Sequence, residues 1–336
     1  MNDIKKILID QESTCSFIWF MRQAGRYLPE FQKIRSKNKN FINLCLDSSL
    51  SSEITLQPIK RFDLDAAIIF SDILIVPYAL GQKVNFVKDH GPVLSDFNIN
   101  KFLANNEKTF ITKLKPIYDS IQITRKKLNK KKSLISFVGA PWTLLVYMLG
   151  LKKNKKELNL KKLQNNEFDI KTIIQNLTIY LCEHIKHQIE AGADFVQVFD
   201  SWAGLIPERY IQDYCYKPNL EITNFCKKRK IPIICFPKGI KEKYLDFQNI
   251  VRPNGLSLDY EIDPLWAKKN LRSVALQGGM DPRMLLESDE KMFNEAKKYL
   301  DMFKDVPYIF NLGHGILPET KPNKIYKLIK YVREYK

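Results

Sequence analysis

The chain has no long apolar run. Its most apolar stretch, Ala66 to Gly81, is interrupted by Asp72 and Pro77, and nothing approaches the roughly 18 apolar residues that crossing a bilayer takes. No membrane role is expected. Closely spaced cysteines are also missing. Cys15, Cys45, Cys182, Cys215, Cys226 and Cys235 are scattered and none forms Cys-x-x-Cys. Neither a disulfide framework nor a zinc knuckle is expected, and a reducing cytoplasm fits. The segment Met1 to Cys15 lacks the character of a signal or transit peptide: it carries Asp3, Asp10 and Glu12, and its only apolar run is Ile7-Leu8-Ile9. Glycine is scarce, at 13 residues, and acidic residues are outnumbered 37 to 54 by Lys and Arg, for a net charge of +17. That excess admits a nucleic-acid binder, a binder of acidic small molecules, or a lysine-rich solvated surface. The lysines fall in runs such as Lys130-Lys131-Lys132 and occur beside abundant Asn and Ile. This is a drift across the whole chain of the kind an AT-rich genome produces. A solvated surface is therefore the simplest reading, and it is compatible with a polyanionic substrate.

What is present is an ordinary globular composition. Hydrophobic residues make up 45% and charged residues 27% of 336, enough to bury a large core and to exclude disorder as the main state. Eight short apolar, β-branched or aromatic runs recur, at 15–20, 66–70, 134–138, 195–199, 231–236, 255–259, 273–277 and 307–311. Most are continuous rather than alternating, as in strands buried on both faces of a parallel sheet. Between them lie candidate helices at 48–62, 169–190, 207–228, 281–302 and 321–335. This repetition predicts a (β/α)8 TIM-type barrel of one domain, 1–336, with its cleft at the carboxyl ends of the strands; a doubly wound open sheet is the second choice. The interval 73–133 is too long for one βα unit and predicts an excursion holding a hairpin within 75–94 and a helix near 107–128.

In a barrel, chemistry sits just past the strand ends. Polar residues and glycines cluster there: Met21-Arg22-Gln23-Ala24-Gly25-Arg26-Tyr27, Ser71-Asp72, Gly139-Ala140-Pro141-Trp142-Thr143 followed by Tyr147, Asp200-Ser201-Trp202, Lys238-Gly239, Asp259, Gln277-Gly278-Gly279-Met280-Asp281 and Asn311-Leu312-Gly313-His314-Gly315. Helix capping accounts for Asp281 and part of Asp200-Ser201. Arg22 and Arg26 are four apart and, if that turn is helical, share a face. Two planar forks so placed suit the carboxylates of one ligand; ion pairs within the protein, with Glu30 for instance, suit the spacing equally. Asp72 ends the most apolar strand and needs donors from a helix start or from a ligand. His314 lies between two glycines, where backbone can approach a ligand or close a tight turn. His184 and His187 have half the spacing of a metal site, but Glu183 and Lys186 beside them predict a solvated face.

Taken together these segments resemble the uroporphyrinogen decarboxylase family. The likeness is carried by Phe20-Met21-Arg22-Gln23-Ala24-Gly25-Arg26-Tyr27-Leu28-Pro29-Glu30-Phe31, Thr55-Leu56-Gln57-Pro58, Leu64 through Leu74, Gly139-Ala140-Pro141-Trp142-Thr143-Leu144 with Tyr147-Met148, Ala275-Leu276-Gln277-Gly278, Met280-Asp281-Pro282 and Phe310-Asn311-Leu312-Gly313-His314-Gly315, in family order over about residues 15 to 335. The resemblance implies a (β/α)8 barrel, a homodimer, no cofactor and decarboxylation of the polycarboxylate tetrapyrrole uroporphyrinogen; with no metal-ligand constellation in the sequence, no metal is expected either. It implies a substrate cleft lined by Arg22, Gln23, Ala24, Gly25, Arg26, Asp72, Phe137, Tyr147, Ser201 and His314, with Asp72 stabilising the reaction's cationic intermediate. Two departures stand out: Leu149-Gly150-Leu151-Lys152-Lys153 replaces an acidic residue and glycines, and Pro237 replaces an alanine before Lys238-Gly239. The alternatives have weaker support. A metal-dependent methyltransferase on the same barrel needs a His-x-Cys pair, which is absent. An RNA binder needs aromatics interleaved with basic residues, whereas these lysines sit beside Asn and Glu.

Overall fold

The computed structural model describes residues 3–13, 17–87, 91–154, 157–159, 161–164 and 167–335; the expectation for Cys15 lies outside them. Seven parallel strands form one sheet: β1 (Ala66–Ile68), β2 (Ser133–Gly139), β3 (Phe195–Asp200), β4 (Ile233–Pro237), β5 (Gly255–Leu258), β6 (Ala275–Gly278) and β7 (Tyr308–Ile309), each beside its sequence neighbour. These are the apolar runs of the sequence. Most of their residues are buried on both faces, because helices cover the outside and the curled sheet encloses its own interior.

The run at 15–20 behaves differently from the expected strand. Residues 17–20 occupy the gap between β7 and β1, but only Ile18 pairs as a bridge, with Phe310. The Phe310 N–H donates to the Phe17 carbonyl at 2.9 Å, and on the other side the Asp65 N–H donates to the Ile18 carbonyl at 2.9 Å. Side chains supply the remaining bonds. Asp65 accepts from the Ile18 N–H at 2.6 Å, and Gln23 donates to the Ala66 carbonyl at 2.9 Å. The eighth stave is thus held by side chains as much as by a backbone ladder, and it closes the barrel. The interior is a separate apolar cluster that draws Trp19 from this stave, Ala66 and Ile68 from β1, Ile135, Phe195, Ile234, Phe236, Ala275 and Ile309 from other strands. Ile4, Ile7 and Leu8 of the first helix, Asp3–Leu8, join the same cluster.

Helices form close to where the periodicity puts them, at Ser48–Arg61, Glu107–Lys127, Glu167–Glu190 and Pro322–Glu334. Two expected helices are broken. Ser288 starts a new helix, Asp289–Phe303, after a 3-10 turn over Pro282–Leu286. The 207–228 stretch opens with a 3-10 turn and a π turn, Gln212–Tyr216, before the helix Lys217–Lys228 begins with Pro218 in its first turn; proline cannot donate to the preceding turn. Between β1 and β2 the hairpin is Val84–Val87 with Gly91–Leu94, and residues 75–79 are helical rather than extended. The cause is Asp72, whose carboxylate accepts the Leu74 N–H at 2.8 Å while its carbonyl accepts the Ile75 N–H at 3.3 Å. His184 also departs from expectation. It is buried, with Tyr118 Oη 2.9 Å from Nδ1 and Gln188 Nε2 3.0 Å from Nε2. Burial pushes its pKa down to about 3, so it is a neutral core residue.

Candidate active site

The loop after the eighth stave, residues 21–27, is not helical. Arg22 has φ 60, the left-handed region, which costs a non-glycine residue about 1–2 kcal/mol. The neighbouring bonds fix it there. The Met21 N–H donates to Asn311 Oδ1 at 3.2 Å, and the Ile316 N–H donates to the Met21 carbonyl at 3.0 Å. Gln23 is fully buried; its amide bridges the Phe20 N–H (3.1 Å) and the Ala66 carbonyl (2.9 Å), and its own carbonyl accepts the Tyr27 hydroxyl at 2.8 Å. Gln23 therefore braces the loop from beneath, while Ala24 and Gly25 are half-buried on it.

The left-handed turn sends the Arg22 side chain across Gly315. A Cβ on Gly315 would stand 2.4 Å from Arg22 Cδ, so the second glycine flanking His314 is the floor on which the guanidinium lies. Arg22 is open to solvent yet crowded by protein, as a group in a concavity is. Burial lowers its pKa; Asp72 and Tyr147 oppose the fall, and Arg26 adds to it. These influences put Arg22 in the field of all three. The ion-pair alternative for the two arginines fails: Glu30 is held by Arg61 through two bonds of 2.8 and 2.9 Å. Among the described residues no carboxylate lies within 4 Å of the Arg22 or Arg26 guanidinium.

Asp72 serves as the cap considered for it and stands in the field of Arg22. One oxygen takes the Leu74 N–H. Loss of water around it pushes the pKa up to about 6, against the Leu74 bond and the attraction of Arg22. Tyr147, on the helix Pro141–Met148, has its phenol raised by burial, with Asp72 raising it further and Arg22 opposing. His314 is half-buried, and burial, Arg22 and Lys238 push its pKa down to about 3, which keeps the imidazole neutral at working pH. Phe137 lies edge-on to Phe199 with ring centres 5.7 Å apart, and both rings pack on the barrel interior. Ser201 is half-buried in the turn after β3.

Sequence reasoning passed over the clamp that holds this last turn. Asp200 is buried, and burial raises its pKa to about 6. Thr143 donates its hydroxyl to Asp200 at 2.7 Å and accepts the Trp202 N–H at 3.2 Å, while the Trp142 indole donates to the Trp202 carbonyl at 3.0 Å. The Pro-Trp-Thr segment thereby grips both backbone groups of Trp202, whose ring meets Tyr147 edge-to-face at 6.0 Å. The one available signal was the coincidence of Trp-Thr and Ser-Trp at adjacent strand ends. Lys238 was likewise noticed at its strand end but given no part; its charge acts on His314. No group of three or more His, Cys, Asp or Glu side chains with metal-binding placement occurs among the described residues.

Comparison with known proteins shows the family. The sequence pattern described as uroporphyrinogen decarboxylase (URO-D) matches residues 2–335. A protein named uroporphyrinogen decarboxylase from Orientia tsutsugamushi (strain Ikeda) is 41% identical over 326 residues, covering 95% of this chain and 94% of that one. One of the same name from Jannaschia sp. (strain CCS1) is 38% identical over 324 residues, covering 94% of each. Among solved structures, a methyltransferase from Methanosarcina mazei superposes with a TM-score of 0.77 over 98% of this chain and 97% of that one at 15% identity, a likeness of fold alone. The chain belongs to the uroporphyrinogen decarboxylase family.

Proposed function

We propose that this protein is a uroporphyrinogen decarboxylase, which removes the four acetate carboxyl groups of uroporphyrinogen III as CO2 and leaves coproporphyrinogen III. The observation that carries the reading is one half-buried carboxylate, Asp72, in the field of Arg22, while Arg22 and Arg26 have no acidic partner within 4 Å among the described residues. Such an arrangement matches a macrocycle with carboxylates around its edge and electron-rich pyrroles at its centre.

The chemistry needs an electron sink, and the substrate contains one. A proton added to the pyrrole carbon beside the acetate-bearing carbon makes the ring cationic. The bond to the carboxylate then breaks, CO2 leaves, and the electron pair neutralises the ring and forms an exocyclic methylene. A proton added to that methylene makes the methyl group, and the ring carbon returns its proton, so each CO2 consumes one proton overall. The protein's part is to bind, orient and stabilise the cation. Asp72 does the last of these: among the described residues its second oxygen takes no hydrogen bond, so it can accept from pyrrole N–H donors and place its charge against the ring. Arg22 and Arg26 hold carboxylates, Phe137 supplies an apolar wall, and Ser201 and His314 offer polar contacts. A neutral His314 can donate or accept a hydrogen bond but brings no positive charge of its own. The self-contained sink supports a reaction without cofactor, and the family resemblance supports a cytoplasmic homodimer. No helix among the described residues is long and apolar enough to cross a membrane.

Anaerobic incubation with uroporphyrinogen III, with products separated by carboxylate number, tests the reading. A ladder ending at the tetracarboxylate is expected; folded protein that releases no CO2 refutes it. Dialysis against a chelator is expected to leave the rate unchanged, and a rate that zinc restores would overturn the cofactor-free mechanism. Light scattering in solution should give twice the chain mass.

A further inference from the structure

The Lys-rich segment after Tyr147 follows directly on a site residue: the Tyr147 ring meets Trp202 and stands in the field of Asp72 and Arg22. After the helix Pro141–Met148, Gly150 turns with φ 59, its N–H bonded to the Tyr147 carbonyl at 3.1 Å. Leu151 follows, fully buried, and a short hairpin pairs Lys152 with Leu158. Leu158 is buried too, and the Asn159 N–H donates to the Leu151 carbonyl at 2.6 Å. Lys152 is thus set between two anchored leucines. The register is irregular between Lys152 and Asn154, and the Lys152 side chain is exposed.

The two lysines here have different fates. Lys153 is neutralised by Glu157 at 2.7 Å, and Asn154 holds the other oxygen of that carboxylate at 3.4 Å. Lys152 has no carboxylate within 4 Å among the described residues, and its ammonium sits 5.9 Å from the centre of the Trp202 ring. That ring is the one the Pro-Trp-Thr clamp holds and the one Tyr147 packs against. A cation over an indole keeps part of its charge available to an anion on its other side.

We propose that Lys152 is a substrate-binding residue that determines specificity for highly carboxylated substrate: resting on Trp202, it contacts a peripheral carboxylate of the macrocycle beyond the reach of Arg22 and Arg26. This rests on the function proposed above and adds a fourth cation, with Arg22, Arg26 and Lys238, to the same cleft. An exposed pair of this kind contributes modestly to binding and acts before the chemical step, so it should appear in affinity and not in turnover.

The test compares Lys152→Gln with Lys153→Gln, both carrying the same loss of charge. Binding is read with uroporphyrin III, the oxidised octacarboxylate macrocycle, and with the tetracarboxylate coproporphyrin III, by fluorescence titration at two salt concentrations. For Lys152→Gln the Kd for the octacarboxylate should rise about three- to fivefold, with a smaller rise for the tetracarboxylate and a shallower salt dependence. In turnover KM should rise while kcat holds and Tm is unchanged. Lys153→Gln should match the unmodified protein. Equal losses in the two variants, or an unchanged Kd in Lys152→Gln, would overturn the proposal. The binding measurement does not depend on turnover. Wild-type protein that binds the octacarboxylate but releases no CO2 refutes the decarboxylase reading while leaving the Lys152 comparison decisive.

Discussion

Replacing Asp72 by asparagine should make the protein more stable and nearly inactive. The wild-type carboxyl has its pKa raised from 3.8 to about 6, chiefly by burial. A raised carboxyl pKa means that folding favours the protonated form. The associated stability is fully present at low pH, is lost as the pH rises through the window from 3.8 to about 6, and stays lost above it. Two pKa units correspond to about 3 kcal/mol. With an unfolding entropy of about 2.1 cal/mol/K per residue, Asp72→Asn should raise Tm by about 4 °C at pH 7.5, and the gain should vanish near pH 4. The amide keeps one oxygen for the Leu74 N–H, so the turn that starts the helix Ile75–Ala79 survives. What is lost, on the proposed mechanism, is the charge that stabilises the cationic ring. A unit pair at about 4 Å and an effective dielectric of 20 is worth about 4 kcal/mol, or about a thousandfold in the single-turnover rate. Affinity for uroporphyrin III should change by less than about fivefold, because the group matters more to the transition state than to the ground state. In the wild type the same titration should give kcat/KM an acid limb near pH 6. Calorimetry, single-turnover kinetics and fluorescence titration on one preparation decide it. A variant that melts no higher than wild type at pH 7.5 refutes the burial argument, and one that keeps its rate but binds weakly reduces Asp72 to a positioning group.

Gly315→Ala should mimic loss of Arg22, because the new methyl would stand 2.4 Å from Arg22 Cδ; kcat/KM should fall about tenfold or more with Tm nearly unchanged, and wild-type kinetics would show that the guanidinium does not need that floor. Arg26→Lys should lose substrate affinity despite keeping its charge, since an ammonium cannot copy a planar fork; near-normal kcat/KM with a much lower Tm would make Arg26 structural. Thr143→Val removes the donor to Asp200 and the acceptor for the Trp202 N–H; it should cost about 1–3 kcal/mol in chemical denaturation and lower kcat by loosening Trp202 against Tyr147, and unchanged denaturation would show that the clamp carries no load.

Continuous apolar runs announced the parallel strands, because strands buried on both faces have no polar side to show, and helix periodicity located four helices to within a few residues but started two others eight and ten residues early. The loop Met21 to Tyr27, Asp72 and the His314 segment were legible as polar residues at strand ends, where a barrel keeps its chemistry. Their individual conformations were not. Spacing suggested a helical turn for Arg22 and Arg26, but the hydrogen bonds that Met21 makes to Asn311 and accepts from Ile316, more than 280 residues away, hold Arg22 in a left-handed turn instead. Neighbours in sequence suggested a wet face for His184; Tyr118, from a helix 66 positions earlier, buries it. Gln23 read as a cleft residue, yet its amide is spent on Phe20 and Ala66. The grip of Thr143 on Trp202 and the seat of Lys152 on that ring join segments that only the closed barrel brings together. Local sequence determines which backbone a segment favours and how much of it wants to be buried. Which polar groups meet, which charges lose water and which are left without a partner are long-range facts, and only the tertiary structure decides them.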